Sequence, residues 1–394
     1  MSSRVKRVRA PMKEMTGARK LVAGFARADI TPPEPLANYK GATLELPPEG
    51  EPRLECLAAV FAAGEQRVGL VVLDTLCVRR ELVLRMREEA CLRGTGAALS
   101  GLIVAATHTH CTPPLGPMFL TGANPDPLYE DLVVAKVLDA LRHAHSNSCN
   151  VQLRAGIAAC PGVEFSRRLL RRDGRVVMNV AADVERGLEP CSCVDRDVPF
   201  WLFRTTSGDP LGVVFSYPNH NNAARSSFMS PDIAGYCRRA LAASFGERFF
   251  ALMLQGACGD VNWVSEKERK GGAHYAEEIG TRLAASLVNA LSGAAPAPHA
   301  QKLDYRKRLL ALPDRLPEDS EYCEDGCRGS SSAEMEAQRR RYEPEREAVN
   351  RRGATKAVVE VNALVLQGAA LVTTPAELFA ELGMEIRARS PFPV

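Results

Sequence analysis

GLIVAATHTHCT, residues 101–112, joins a short apolar run to two histidines one residue apart. Gly101 to Ala106 has the length and β-branched content of a buried strand. Alternate residues of an extended chain point to the same side, so His108 and His110 aim their rings in one direction. That is a chelating arrangement. By itself such a pair is more often hydrogen-bonded or solvated than metal-bound, so its meaning depends on what the rest of the chain delivers beside it.

Working outward, apolar runs and helical spacings alternate. Leu21–Ile30 reads as a strand running into the proline-rich TPPEP, and Leu57–Ala62 and Val68–Asp74 read as a hairpin across AGEQR. Glu81–Leu92 and Tyr129–His143 have apolar residues at three and four spacing, the mark of helices packed on a sheet. Further strands are expected at Val151–Ala158, Pro199–Arg204, Leu211–Tyr217, Phe249–Leu254, Val358–Leu366 and Ala369–Thr373. Phe165–Asn179 reads as an arginine-rich loop and a hairpin through Asp173 and Gly174. Helices are expected at Pro231–Phe245, at Tyr275–Leu291, and from Pro375, which would put Glu377 in a helical first turn. Alternation of this kind predicts an α/β fold, a mixed β-sheet flanked by helices. No internal repeat is evident in the sequence.

Length and composition set the outer limits. The 394 residues, 46% hydrophobic and 25% charged with a net charge of +3, suit an ordinary globular chain. No apolar run reaches the roughly 18 residues of a membrane helix. Neither a basic face nor a nucleic-acid motif is present, so no nucleic-acid partner is expected. Residues 1–20 hold seven Lys or Arg against one Glu and read as a basic disordered tail; with no apolar segment behind it, the expected location is the cytoplasm. Residues 21–394 form the expected catalytic domain, with 312–352 a charged surface excursion. The twelve cysteines are scattered and are expected to be reduced and mostly buried. The Cys191/Cys193 and Cys323/Cys327 pairs match zinc-knuckle spacing poorly.

The strand ends carry the chemistry. Asp74, His108 with His110, His220 and Asp260 terminate apolar runs, and Glu377 lies just beyond another. Ligands of open α/β sheets sit outside the carboxyl ends of strands. Imidazoles and a carboxylate gathered there would make a metal site at the strand C-terminal ends, of ordinary zinc composition. The alternative is a set of unrelated loop residues capping their own backbones. The metallophosphoesterase elements GD, NH and HxH also occur, but in the wrong order.

The segments GFARADITPP (24–33), VLDTL (72–76), ATHTHCTPP (106–114), FSRRLLRRDG (165–174), VVFSYPNH (213–220), SPDIAGY (230–236), LQGACGDVN (254–262) and TTPAELF (373–379) together resemble the neutral/alkaline non-lysosomal ceramidases and their bacterial relatives, in that family's order. The resemblance runs from about Leu21 to the end of the chain. It implies a zinc-dependent amidohydrolase cleaving the amide between a fatty acid and an amino-alcohol. His108, His220 and Glu377 are then the implied Zn2+ ligands, His110 an acid-base group, and Arg167 the group that binds the substrate carbonyl or its oxyanion. Asp260 and Asn262 fall in the catalytic segment where ceramidases read GDVSP, whose serine is proposed as nucleophile; here it reads GDVNW. An asparagine is not acylated as a serine is, so attack by metal-activated water is expected, with His110 managing protons.

The family continues beyond this point to a tyrosine completing the zinc shell and to an immunoglobulin-like C-terminal domain. Here the sequence ends at Val394. The fourth ligand is therefore expected to be water, another residue, or a group from a partner chain or homo-oligomer. The function expected is hydrolysis of an N-acyl substrate, ceramide-like or smaller; the alternative is a degenerate, non-catalytic protein acting in binding or with a partner chain.

Overall fold

The computed structural model describes residues 20–38, 40–92, 99–116, 123–172, 174, 176–178, 188–263, 272–297, 303–313, 340, 343, 347, 350–351 and 356–392. Most of the basic tail and of the 312–352 excursion, including Cys323 and Cys327, lies outside the described residues. The architecture is α/β as expected, with a large mixed sheet flanked by helices. Its strands run in the order Phe250–Gln255, Pro210–Tyr217, Asp197–Thr205, Cys149–Ala159, Val22–Asp29, Glu55–Ala63, Gln66–Leu73, Gly101–Ala106. The outermost pair at each edge is parallel and every other neighbour along this path is antiparallel.

That order is symmetric about its middle. A strand, a hairpin, a helix, a parallel strand and a helix occur first as Val22–Asp29, Glu55–Leu73, Arg80–Leu92, Gly101–Ala106 and Pro127–Ser146. The same series returns as Cys149–Ala159, Asp197–Tyr217, Asp232–Phe245, Phe250–Gln255 and Ala273–Leu291. The two leading strands pair antiparallel at the centre of the sheet. The chain thus contains a topological repeat that the sequence did not reveal. Two halves built from different apolar residues can satisfy one packing scheme, because a core demands volume and pattern rather than identity.

Both faces of this sheet are covered, which is why Glu55–Ala63 reads as an unbroken apolar run, buried from Cys56 to Ala62. On one face the helices build two clusters. Leu82, Met86, Val133 and Val137 pack on Ala58, Val60, Val71 and Leu73 in the first half, and Ile233, Leu241, Leu283 and Leu287 on Phe200, Leu202 and Phe215 in the second. On the other face Phe25, Phe61, Phe203 and Phe250 form a single aromatic group spanning both halves. The sheet curls so far around this face that its two edge strands, Gly101–Ala106 and Phe250–Gln255, touch. A three-stranded sheet, Leu303–Pro313, Lys356–Leu366 and Ala369–Thr373, covers the same face with Leu303, Leu364, Leu366 and Ala369. Its first strand, rich in Arg and Lys on an exposed edge, carries no alternating apolar signal. Gly101 is obligatory where this layer lands, since a Cβ there would lie 2.1 Å from the Tyr305 ring.

A buried ion pair ties the halves together. Arg238, on the helix Asp232–Phe245, places Nη2 2.5 Å and Nη1 3.2 Å from the Asp74 carboxylate, and Nε lies 3.0 Å from Glu55. Asp74 also accepts from the Glu55 backbone N–H and the Thr107 hydroxyl. Burial raises the Glu55 carboxyl above its usual range even though Arg238 pulls it down. Arg238→Met keeps most of the volume but strands the buried Asp74 and the half-buried Glu55, so a urea-unfolding midpoint should report a loss of about 3–5 kcal/mol.

Candidate metal centre

The loop after Gly101–Ala106 turns sharply, and His108 does so at a φ of 65°, a left-handed conformation uncommon outside glycine. The ring Nδ1–H donates to the Leu76 carbonyl at 2.9 Å. That fixes the tautomer and leaves Nε2 as a bare lone pair. From the other half, His220 sits past the end of Pro210–Tyr217 with Nδ1 3.3 Å from the Cys258 carbonyl, which likewise directs Nε2 outward. The two Nε2 atoms face each other at 3.1 Å. Two lone pairs so disposed repel unless a cation or proton lies between them. Two nitrogens on one tetrahedral zinc, at bond lengths of about 2.0–2.1 Å, stand roughly 3.3 Å apart, so the donor set and its spacing fit a metal ion.

His110 completes the group. Its ring centroid is 5.0 Å from that of His108 and 5.2 Å from that of His220, and one ligand atom from each of the three lies within 4.8 Å of the others. Burial, then the neighbouring imidazoles, depresses His110 and His220 well below the ordinary histidine range. Both rings are therefore neutral at pH 7, the form that ligates metals and accepts protons. This trio is the one histidine, cysteine and carboxylate cluster with metal-holding geometry among the described residues. It could hold a metal ion.

Glu377 places Oε1 3.5 Å from His108 Nε2 and Oε2 3.9 Å from Arg167. The expected helix around it is corrected by the structure, which begins the helix at Ala380 and leaves Glu377 in the preceding loop. The cause is the segment Gly259–Asp260. Gly259 N–H donates to the Leu378 carbonyl, and Asp260 Oδ1 accepts from the Ala380 N–H at 2.8 Å, capping the helix from outside its own sequence. Arg167 is drawn to the same segment, its Nη2 donating to the Gly259 carbonyl at 2.7 Å and its backbone N–H to that of Asp260.

The site residues thus divide into two groups. His108, His110, His220, Glu377 and Arg167 line one cavity of about 950 Å³. Asp260 and Asn262 do not line it; both are fully buried behind it, with Asp260 Oδ2 and both polar atoms of Asn262 lacking partners among the described residues. Asp74, the remaining polar strand end, belongs to the ion pair with Arg238 rather than to the histidines. Sequence reasoning missed the Leu76 and Cys258 carbonyls that set the tautomers, because any residue supplies a carbonyl. It also missed Gly259, where a Cβ would lie 2.3 Å from the Glu377 carbonyl oxygen. The ten described cysteines are all free, but only Cys56, Cys111, Cys160, Cys237 and Cys258 are buried, fewer than expected. No helix among the described residues is long and apolar enough to cross a membrane.

Gly259→Ala should push the Glu377 loop outward and break the cap at Ala380. Hydrogen exchange at the Ala380 amide should then accelerate while amides of Glu55–Ala63 stay protected; unchanged exchange at Ala380 would show that the loop does not depend on this contact.

No protein-family model and no curated protein matches the chain. Solved structures do. A neutral ceramidase from Pseudomonas aeruginosa superposes with a TM-score of 0.68 at 17% identity, over 94% of this chain and 65% of that one. A ceramidase complexed with C2 superposes with a TM-score of 0.69 at 16% identity, over the same shares of the two chains. The chain therefore spans about 65% of the length of the structures it matches, and over that span its fold is that of the neutral ceramidases.

Proposed function

We propose that the chain is a zinc-dependent hydrolase that cleaves the amide of an N-acyl substrate, ceramide-like or smaller, by attack of water. The observation that carries this reading is the pair of bare Nε2 atoms of His108 and His220 held 3.1 Å apart. His108, His220 and Glu377 are the residues that would hold the ion. Zinc bound there would supply Lewis acidity and lower the pKa of water to about 7.

The protein's own groups do the rest. His110, neutral in its buried setting, takes a proton from the attacking water and returns it to the leaving amine. Arg167, steadied by the Gly259 carbonyl, offers its guanidinium to the oxygen of the scissile carbonyl as negative charge develops there. Asn262 replaces a nucleophilic hydroxyl with an amide that cannot be acylated, which favours direct hydrolysis over an acyl-enzyme. Asp260 acts as a positioning residue, through the Ala380 cap that holds the Glu377 loop.

The division of labour between the two histidines of HisThrHis is open to direct test. His108→Ala should empty the site, read as loss of stoichiometric zinc by elemental analysis. His110→Ala should retain zinc while hydrolysis of a panel of N-acyl amino-alcohols, short N-acyl amines and esters falls by about 10²–10⁴. Loss of zinc from both variants would make His110 a fourth ligand beside His108, His220 and Glu377, which the trio's spacing permits. A chelator should abolish turnover; full activity of zinc-free protein would sink the hydrolase reading.

A further inference from the structure

The two histidine loops come from different halves of the chain, yet one short segment grips both. The Ser230 carbonyl accepts from the Thr109 hydroxyl at 2.6 Å, and the Ser230 N–H donates to the Cys111 carbonyl at 2.9 Å. Thr109 stands between His108 and His110, so these bonds hold the first loop. Two residues on, the Asp232 carboxylate takes the N–H groups of Ala223 and Ala224, one on each oxygen, at 2.9 and 2.8 Å. Asn221, next to His220, donates from its side chain to the Pro231 carbonyl at 3.2 Å and accepts from the Ala234 N–H. Those bonds hold the second loop.

Asp232 does more than start a helix. It is the first residue of Asp232–Phe245, and a carboxylate serving only that helix would face its own first turn. One oxygen does accept from the Ile233 N–H, but both oxygens are turned to the loop after His220. Thr109, Asn221, Ser230 and Asp232 are all buried, where a low local dielectric strengthens such bonds. Backbone strain collects at the same place. Of the four non-glycine residues with left-handed φ among the described residues, His108, Arg225 and Asp232 are three. Such backbone persists only where surrounding contacts over-determine it.

We propose that Ser230–Asp232 is a positioning bracket, whose bonds to Thr109 on one side and to the His220 loop on the other set the separation of the His108 and His220 rings. Its consequence rests on the metal-site reading: imidazoles held at ligand spacing before an ion arrives bind it more tightly than imidazoles free to part. Neither Thr109 nor Asp232 lines the cavity, so each acts through a histidine.

Three variants test the bracket. Thr109→Val removes the hydroxyl with little change of shape, Thr109→Ser keeps it, and Asp232→Asn turns an NH2 group toward the Ala224 N–H. Zinc affinity of the full chain, by competition with a chromophoric chelator, should fall about tenfold or more for Thr109→Val and Asp232→Asn and change by less than about twofold for Thr109→Ser. The double variant should lose less than the product of the single losses, because both release one bracket. Unchanged affinity in Thr109→Val or Asp232→Asn, an equal loss in Thr109→Ser, or losses that multiply would overturn the proposal. Zinc-free protein gives a second readout, the NMR shifts of isotope-labelled histidine rings. Asp232→Asn should move the His108 ring signals as well as those of His220; a change confined to His220 also overturns the bracket. Should one of these variants fail to fold, the ring shifts of the other decide. If the unsubstituted chain binds no zinc, the metal-site reading falls, and the ring shifts still decide the role of Ser230–Asp232.

Discussion

The charge cluster of Arg238 with Asp74 and Glu55 is the constraint on which the architecture turns. Arg238 belongs to the second structural half and both carboxylates to the first, so the pair exists only when the two halves are registered against each other. Burying the Arg238 and Asp74 charges is favourable only when geometry is good and the remaining polar atoms are satisfied. Asp74 meets that condition by also accepting from the Glu55 amide and the Thr107 hydroxyl. Thr107 precedes His108, so the same carboxylate that joins the halves also anchors the chain where it enters the histidine cluster.

The centre itself is assembled across the seam. His108 and His110 leave the edge strand of one half, and His220 leaves the strand next to the opposite edge. Curling of the sheet about its aromatic face brings those edges into contact, and the facing imidazoles are a consequence. Backbone carbonyls then orient the facing rings, burial keeps His110 and His220 neutral, and the Gly259–Asp260 segment presents the Glu377 loop. Each of these is a preorganisation step, and none requires the ligand to be present. The fold is shared with neutral ceramidases, while identity of 16–17% leaves the chemistry to the residues themselves.

Legibility in the sequence followed the kind of physical signal each element carried. Glu55–Ala63 and Gly101–Ala106 were readable because burial on both faces leaves uninterrupted apolar runs. Pro127–Ser146 was readable by its spacing, although its true start is set by Asp126 capping the amides of Leu128 and Tyr129. Leu303–Pro313 escaped notice because its charged, exposed face erases alternation. The helix near Glu377 was placed too early because a proline at a favourable first position is a local preference, and Gly259 and Asp260, more than a hundred residues upstream, overrule it.

The sequence by itself determined the α/β class, most of the strands and helices, and the identity of the histidines and Glu377 as candidates, because periodicity and residue chemistry are local properties; Arg167 became a candidate only through the resemblance to the ceramidases. Only the tertiary structure decided that Asp74 is a structural anion, that Asp260 and Asn262 lie behind the cavity rather than on it, and that two topologically equivalent halves meet at the histidine cluster. Those outcomes depend on which groups come within a few ångströms after the sheet curls. Contacts between residues a hundred or more positions apart are fixed by packing and charge pairing, and no local pattern encodes them.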